Sequence, residues 1–262
     1  MDIAEEFNTK WQFPHCLGTV DGKHVRIVPP AHSGSYYFNY KNIHSIVLMA
    51  IANANCEFIY CDVGTNGRIS DGGVIANTKF YDKLTQGSLK IPKAEEVWNS
   101  NDVLPYVFIG DEAFALRSDF LKPYPRSTLN RDTRIFNYRL SRARRVVENT
   151  FGIMSSRFRV FETAINLNVK NTEIVVLACC VLHNFLRKLC SQNYMSFDVL
   201  DVENIEDGSV VLGARCNPEN MHDLQLGRRG LVRESTREAR DNFKTYFNNE
   251  GSVPWQDKAI ES

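Results

Sequence analysis

The sequence predicts an α/β fold, in which a mixed β-sheet is flanked by helices and followed by a C-terminal linker and an amphipathic helix. Three consecutive segments have the pattern of β-strands and are separated by turn residues, and a fourth short β-rich run follows a helix-like stretch. Apolar residues then recur at intervals of three and four from Phe136 to Phe158, which indicates one long helix. The 262 residues suffice for one large domain or two small ones.

The first strand is predicted over residues 18–28, in GTVDGKHVRIVPP, where Pro29 and Pro30 end the pairing. SIVLMAIAN and EFIYCDVG are predicted as the second and third strands, joined by a turn around residues 53–55. GRISDGGVIANTKFYDKL begins with a Ser-Asp-Gly cap signal and predicts a helix after the third strand. PYVFIGDEAF predicts the fourth strand.

The long helix combines one apolar face with an arginine-rich face. Between residues 131 and 159 there are eight arginines against Asp132 and Glu148, whereas the whole chain has 31 basic and 31 acidic residues. A nucleic-acid partner would therefore need this local patch, because the chain as a whole carries no net charge.

The chain is predicted to divide into four parts. Residues 1–13 are expected to be the remnant of an N-terminal region and residues 14–190 the main domain, whose last helix, 172–190, is apolar nearly all round and therefore expected to be buried. Residues 191–230 lose periodicity and gain acids, which predicts an acidic flexible linker. Residues 231–262 are predicted as a helix and tail, whose Phe243 and Phe247 either bind a partner or pack back onto the domain.

The composition excludes several classes of protein. At 43% hydrophobic and 24% charged residues, the chain is neither collagenous nor wholly disordered. The seven cysteines lack the spacing of a secreted disulfide scaffold or a zinc ribbon, so we expect reduced, mostly buried thiols. The N-terminus does not resemble a signal peptide and the longest apolar run is short, so we expect an intracellular protein without a membrane partner.

Four carboxylates occupy positions that suit metal-dependent phosphodiester chemistry. Asp21 lies mid-strand, Asp71 at a helix start, Asp111 at the end of the fourth strand, and Glu148 on the arginine-rich helix. Two-metal chemistry needs several hard oxygen ligands on rigid elements. Asp21 is the most diagnostic, because an acid inside an apolar strand is costly unless it is paired.

Each acid also has a purely structural interpretation. Asp71 could be a helix N-cap and Asp111 could cap a turn. Glu148 could pair with Arg144 and Arg145 within its helix, a contact of a few tenths of a kcal/mol. The order of the acids favours a site, because an RNase H-like fold assembles a D-D-E triad from two central strands and the helix beside them.

The same blocks carry a family resemblance over about residues 11–190. GTVDGKHVRIVPP, then GSYYFNYKNIHSIVLMAIANANCEFIYCDVGTNGRISDGG, PYVFIGDEAFALRSDFLKPYP, RIFNYRLSRARRVVENTFGIMSSRFRVF and VLHNFLRK resemble, in order, the nuclease domain of Harbinger-type (PIF/Harbinger) DDE transposases and the nuclease-like proteins derived from them. REARDNFKTYFNNEGSVPWQ also resembles the C-terminus of the family. Relatives usually have a helical, DNA-binding region before this block, so either the sequence is a fragment or DNA targeting is supplied otherwise.

The resemblance implies an RNase H-like domain with Asp21, Asp111 and Glu148 as the catalytic triad and Asp71 as a further metal ligand. It implies a DNA endonuclease dependent on Mg²⁺ or Mn²⁺ that performs hydrolysis or strand transfer, or a domesticated derivative. It further implies DNA as a partner, a separate Myb-like DNA-binding protein and a nuclear location, with the cytoplasm as an additional one. The competing hypothesis is a non-catalytic DNA- or protein-binding module that retains the fold.

Basic residues near the acids are predicted to contact DNA phosphates: Lys23, Lys41, Arg142, Arg144 and Arg145. Alternatively, Lys23 balances Asp21 on the same strand face, and Arg145 serves Glu148. His24 and His183 are expected to be structural histidines, the latter buried and hydrogen-bonded. The tyrosines at 36, 37 and 40 could stack on unpaired bases, although a packed loop is the default expectation.

Overall fold

The structure, a computed structural model, describes residues 3–69, 71–190, 194, 201–204, 209–211, 213, 221–223 and 234–261. The strands are β1 (Cys16–Arg26), β2 (Ser45–Ala52), β3 (Phe58–Asn66), β4 (Glu95–Glu96), β5 (Val103–Leu104), β6 (Val107–Ile109), β7 (Phe120–Leu121), β8 (Val202–Glu203), β9 (Val210–Val211) and β10 (Met221–Asp223). The helices are α1 (Ile3–Trp11), α2 (Asp71–Ala76), α3 (Lys79–Thr85), α4 (Arg131–Arg157), α5 (Val169–Leu189), α6 (Glu234–Asn248) and α7 (Gln256–Glu261), with short 3-10 turns at Arg126–Thr128 and Arg159–Phe161.

The main sheet has the order β3-β2-β1-β6-β7. β1, β2 and β3 form an antiparallel meander, whereas β6 pairs parallel with β1 and β7 parallel with β6. Helices pack against this sheet, with α4 on β1 and β2 and α5 on β3. The prediction of an α/β fold with a mixed sheet flanked by helices is therefore confirmed.

Two strands pair with β1 along the edge that is opposite to β2. Its first half, Cys16 to Thr19, pairs with β6, and its second half, Lys23 to Val25, pairs antiparallel with β10. The chain direction of β10 brings its last residue, Asp223, opposite Lys23. The residues between the two pairings, including Asp21, therefore lie where β6 and β10 diverge.

Helix α4 is the central helix of the molecule. Asn130 caps its start by accepting a hydrogen bond from the Thr133 amide at 2.9 Å, and the Thr133 hydroxyl bonds back to the Asn130 amide. Its apolar face joins the core on the sheet. Helix α6 packs on the same core, because Phe243 and Phe247 are fully buried against Phe13. Of the two alternatives for the C-terminal helix, the structure shows packing back onto the domain. The first residues of the predicted segment, 231–233, lie outside the described residues.

Two sequence expectations about helices differ from the structure. The single helix predicted after β3 is two short helices, because Thr78 caps a second start by accepting from the Tyr81 amide at 3.2 Å. Helix α5 is wrongly predicted as buried: one side faces β3, and the other carries exposed apolar residues. Apolar periodicity on both sides of a helix does not reveal which side the protein covers.

By length and composition alone, α5 could also cross a membrane. Core helices of other proteins pass the same test, and α5 is bonded to the sheet by polar side chains. Asn184 donates to the Phe58 carbonyl at 2.7 Å and accepts from its amide at 2.8 Å, and His183 bonds the Cys56 carbonyl at 2.8 Å. These contacts tie α5 to the edge strand.

The stretch 191–230, predicted as a flexible linker, contributes β8, β9 and β10 in its described part. β10 joins the main sheet and β8 carries a buried glutamate, Glu203, against α4. The pairing of β10 with the distant strand β1 could not be predicted, because the stretch 191–230 shows no local hydrophobic periodicity.

Candidate active site

Asp21 lies in the middle of β1, opposite Ala50 of β2, and is only 8% exposed. β1 alternates its side chains between the two faces of the sheet, so Asp21 and Lys23 share one face. The Lys23 ammonium lies 3.4 Å from the Asp21 carboxylate. The cost of burying this acid is thus reduced by a neighbouring cation.

Asp111 follows β6 after a single glycine, Gly110. A side chain at Gly110 would collide with the rings of Phe114 and Phe120, at 2.6 and 2.9 Å, so glycine is required for the chain to leave the sheet here. The Asp111 carboxylate accepts a hydrogen bond from the Ala113 amide at 2.9 Å. This turn holds the acid at the end of the strand that pairs with β1.

Burial, and then the nearby Asp21 carboxylate, raise the pKa of Asp111, while Arg144 and the Ala113 amide oppose that rise. Two acids on neighbouring strands therefore interact across the point where β6 and β10 diverge. A pair of this kind favours a bound proton or a bound cation, because either relieves the repulsion.

Lys23 is the cation at the centre of this group. Burial opposes its charge, but the carboxylates of Asp21, Asp223 and Glu148 raise the pKa of Lys23 well above its ordinary value. Its ammonium also lies 5.8 Å from the ring centre of Phe151 on α4. Of the two predicted roles, the structure shows charge balance; a phosphate contact by Lys23 stays a prediction.

Glu148 points from α4 toward the same group and is held by Arg144, whose guanidinium lies 2.7 Å from the carboxylate. Arg144 is also close enough to Asp111 and Asp223 to lower the pKa of both. The negative charge of Glu148 thus acts on Lys23, while its carboxylate is paired with Arg144 one helical turn away.

Asp223 was not predicted as part of the site. Its carboxylate forms an ion pair with Lys23, and its backbone carbonyl accepts from the Tyr40 hydroxyl at 2.9 Å. The Lys23 ammonium lowers the pKa of Asp223 although partial burial opposes this. No local signal could have found it, because Asp223 lies two hundred residues from Lys23 in a stretch without periodicity.

Asp71 is the first residue of α2. Its side chain lies outside the described part of the structure, so its role as a metal ligand stays a prediction.

Two of the arginines predicted to contact DNA are internal. Arg142 and Arg145 both form ion pairs with Glu203 of β8, and all three side chains are at most 11% exposed. Arg142 also donates to the Trp11 carbonyl at 2.7 Å. These contacts fasten α1 and β8 to α4, and a DNA contact by either residue stays untested.

The remaining predicted residues lie at the rim of the site or away from it. Lys41 is exposed on the loop before β2, close enough to lower the pKa of Asp223. Tyr36 and Tyr40 of the same loop are about half exposed, and the Tyr36 and Tyr37 rings pack edge to face at 4.9 Å. The loop that carries these tyrosines is therefore partly packed and partly exposed to solvent.

Both histidines expected to be structural are buried. His24 bonds the Ser45 hydroxyl at 3.0 Å, and burial lowers its pKa to about 4. His183 bonds the Cys56 carbonyl and the Tyr194 hydroxyl, and burial likewise lowers its pKa to about 4. The expectation of a buried, hydrogen-bonded His183 is confirmed.

The donor set suits a hard divalent cation, since Asp21, Asp111 and Glu148 offer only carboxylate oxygens. Among the described residues, no three histidine, cysteine or acidic side chains lie close enough together to hold an ion. In this structure Lys23 pairs with Asp21 and Arg144 pairs with Glu148. Asp21, Asp111 and Glu148 would hold such an ion with their carboxylate oxygens, and this role stays a prediction.

One aspartate within β1, a second directly after β6 and a glutamate on the long helix stand in the order expected of a DDE-type endonuclease. Residues 20–184 match the DDE superfamily endonuclease family. Since this match covers more than half of the 262 residues, the chain belongs to that family.

Curated relatives agree with this assignment and with the Harbinger resemblance, which is confirmed. The chain is 26% identical over 185 residues to "Putative nuclease HARBI1" of Bos taurus and 25% identical over 185 residues to the Homo sapiens protein of the same name, in both cases over 70% of this chain and 49% of the relative. It is 24% identical over 192 residues to "Protein ALP1-like" of Arabidopsis thaliana, over 71% of this chain and 46% of the relative. The chain thus spans about half the length of these relatives. No solved structure matches it significantly.

Proposed function

We propose that this chain is a DNA endonuclease of the DDE transposase type, dependent on Mg²⁺ or Mn²⁺, with Asp21, Asp111 and Glu148 as its catalytic carboxylates. The reaction is attack of water, or of a DNA 3′-hydroxyl, on a phosphodiester. The new oxygen–phosphorus bond forms in line with the bond that breaks, and the leaving oxygen takes up a proton.

The observation that carries the proposal is the position of the partly buried Asp111, directly after the strand that pairs with β1, where burial and then Asp21 raise its pKa. A purely structural acid at a strand end would gain nothing from lying beside a second buried carboxylate. The two carboxylates repel each other, and a bound divalent cation would relieve this repulsion. The same cation would act as a Lewis acid toward the phosphate.

The chain's own residues would then orient the substrate around the pair. Arg144 interacts with both Asp111 and Glu148, so it balances the negative charge of the site, and its guanidinium would be placed to bind a phosphate oxygen if Glu148 held a cation. Lys41, exposed at the rim, is placed to contact a flanking phosphate.

The proposal extends to the fold, the partners and the location. An antiparallel meander continued by parallel strands, with the glutamate-bearing helix packed on it, supports an RNase H-like domain. The likeness to transposase-derived nucleases supports DNA as the substrate, a Myb-like partner for sequence selection, and action in the nucleus rather than the cytoplasm.

A second candidate function is a non-catalytic DNA- or protein-binding module. It is favoured by the engagement of Glu148 with Arg144 and of Asp21 with Lys23, which together satisfy the acids without any metal. In this case the site would be a structural ion-pair network.

Cleavage of a labelled DNA duplex in the presence of Mn²⁺ separates the two candidates. We expect cleavage by the wild-type protein, loss of cleavage with chelator, and at least a hundredfold slower cleavage by Asp111→Asn, since the ligand set is then incomplete. Asp119→Asn is the matched control. The Asp119 carboxylate lies 2.6 Å from the Arg117 guanidinium and away from the acids of the site, so this variant should leave the rate unchanged. Absence of cleavage by folded wild-type protein with Mn²⁺ would favour the binding module.

A further inference from the structure

The exposed side of α5 is an apolar surface that no other part of the described chain covers. Its large apolar residues, which we call the α5 stripe, are between 39% and 68% exposed: Ile174, Leu177, Val181, Leu182, Phe185 and Leu189. At 100° per residue they fall within an arc of about 140° on one side of the helix. The opposite side, with Val176, Cys180 and His183, is buried against the domain.

The size of the α5 stripe is beyond what isolated surface residues explain. Six half-exposed large side chains amount to roughly 500 Å² of apolar surface. The largest apolar patch of a typical monomer is about 300–600 Å² and is often functional, and a standard interface takes about 800 Å² from each partner. The stripe with its rim therefore supplies most of one side of an interface at the small end of the standard range.

We propose that α5 is the interface of a homodimer, in which the α5 stripes of two copies pack antiparallel about a twofold axis beside Val181 and Leu182. A twofold axis sets a patch against itself, so an apolar stripe with a lysine only at one end, Lys188, is complementary to a second copy. With the axis at this point, Ile174 of one copy meets Leu189 of the other, and Ala178 meets Phe185. Spacings of three and four residues are those of helices that interlock at a shallow crossing angle.

The charges on the rim of the stripe select the antiparallel arrangement. Glu173 and Lys188 lie on the same flank of α5, and an antiparallel twofold places equal flanks side by side. In the stated register, Lys188 faces position 175 of the other copy, two residues from its Glu173. At a rise of 1.5 Å per residue the two charges are within about 3 Å of each other along the axis. A parallel pair would instead place each lysine level with its own equivalent.

The dimer would leave the candidate active site open. Asp21, Asp111 and Glu148 lie on the face of β1 and β6 that meets α4, whereas α5 covers the edge strand β3 at the far end of the sheet order. The inference therefore stands independently of nuclease activity.

Sedimentation velocity over a concentration series tests the proposal with the full chain. We expect a concentration-dependent dimer for the wild type and a monomer for Val181→Glu, because two buried glutamates would meet at the axis and raise the dissociation constant at least about tenfold. Leu189→Glu, at the end of α5, is the second variant and should weaken the dimer without disturbing the helix. Trp98→Glu is the matched control, since Trp98 is 81% exposed but lies away from α5, and it should dimerise as the wild type does.

A charge exchange tests the antiparallel register. Lys188→Glu alone should weaken the dimer roughly two- to thirtyfold, as expected for the loss of two symmetry-related exposed ion pairs, and Glu173→Lys together with Lys188→Glu should restore it. A wild type that is monomeric at every concentration, or a Val181→Glu variant that dimerises equally well, would overturn the interface. Failure of the double exchange to restore association would overturn the antiparallel arrangement.

Discussion

Asp223 stands opposite Lys23 in the register of β10 on β1, and its carboxylate shares the Lys23 ammonium with Asp21. Asp223, at the end of a strand that the sequence does not predict, thus adds a second acidic partner to Lys23. The Lys23 ammonium pairs with both acids and lies 3.4 Å from the Asp21 carboxylate.

Substitution of Asp223 should therefore weaken metal binding. In Asp223→Asn, Lys23 loses one acidic partner and pairs more closely with Asp21, so we expect the Mn²⁺ concentration needed for half-maximal effect to rise a few-fold, by about 0.5–1 kcal/mol of binding free energy. The Asp223 side chain is 78% exposed, so the free energy of unfolding should change little. Asp257→Asn, which breaks a surface pair with Arg131, is the control. An unchanged Mn²⁺ requirement in Asp223→Asn would separate Asp223 from the site.

Substitution of Asp111 should stabilise the protein in metal-free buffer. Because the folded-state pKa of Asp111 is raised, the folded protein holds this proton more tightly than the unfolded chain does. The contribution of Asp111 to stability therefore falls as the pH rises from the unfolded-state pKa through the folded-state pKa, and it is constant at higher pH. Asp111→Asn removes this loss, so its free energy of unfolding in urea should exceed that of the wild type at pH 7. The difference should shrink toward pH 4. A variant less stable than the wild type at pH 7 would contradict the strained pair.

Substitution of Glu203, the buried β8 glutamate that contacts α4, should be strongly destabilising. Its buried carboxylate accepts from Arg142, Arg145 and the Tyr138 hydroxyl, so Glu203→Gln leaves two buried guanidinium groups without their acid. We expect a loss of about 3 kcal/mol in the free energy of unfolding, measured in urea. Glu162→Gln is matched to it, since Glu162 pairs with Arg159 in solvent, and it should lose less than about 0.5 kcal/mol. Equal losses in the two variants would show that β8 does not fasten α4.

Stability should fall in mild acid because of His24 and His183. Both have folded-state pKa values of about 4 against an ordinary 6.5, so the unfolded chain binds their protons first. Their contribution is fully present above pH 6.5 and is lost as the pH falls toward 4, at up to about 1.4 kcal/mol per pH unit for each histidine. Unfolding in urea at several pH values measures this slope. His183→Gln should reduce it, and an identical slope in that variant would refute the assignment.

The arginines should divide into those that hold the fold and those that can meet DNA. Lys41→Gln, at the rim, should lower the slope of log affinity against log salt by up to about 0.9 for duplex DNA. Arg145→Gln should leave that slope unchanged, because its side chain is committed to Glu203. Fluorescence anisotropy over a salt series measures both. A reduced slope for Arg145→Gln with no change for Lys41→Gln would reverse this division.

How far the sequence predicts the protein depends on the range of the interaction. Asp21 and Asp111 were found because an acid inside or directly after a β-patterned run is visible locally. Glu203 and Asp223 were not, because their partners lie 61 and 200 residues away and their own segments have no periodicity. The arginine excess on α4 predicts a contact with DNA. Acids that are distant in the sequence but pack against the helix can neutralise such an excess equally well.

Helix α5 shows the same limit from the apolar side. His183 and Asn184 were visible as polar residues in an apolar helix, and the structure joins them to the edge strand β3. Periodicity could not indicate which side of α5 the described residues cover, because the α5 stripe is as apolar as the side that faces the sheet. The difference between a core side and an interface side exists only in the folded chain.

Titration with Mn²⁺, followed by the thermal midpoint of unfolding, tests most directly the claim that Asp21 and Asp111 form a metal site. An ion that binds only the folded state stabilises it by mass action, about 2.7 kcal/mol at a hundred times its dissociation constant. The account predicts an upward shift of the midpoint in the wild type, reversed by chelator, and no shift when Asp21→Asn and Asp111→Asn are combined. No shift in the wild type, or an equal shift in the double variant, would contradict it.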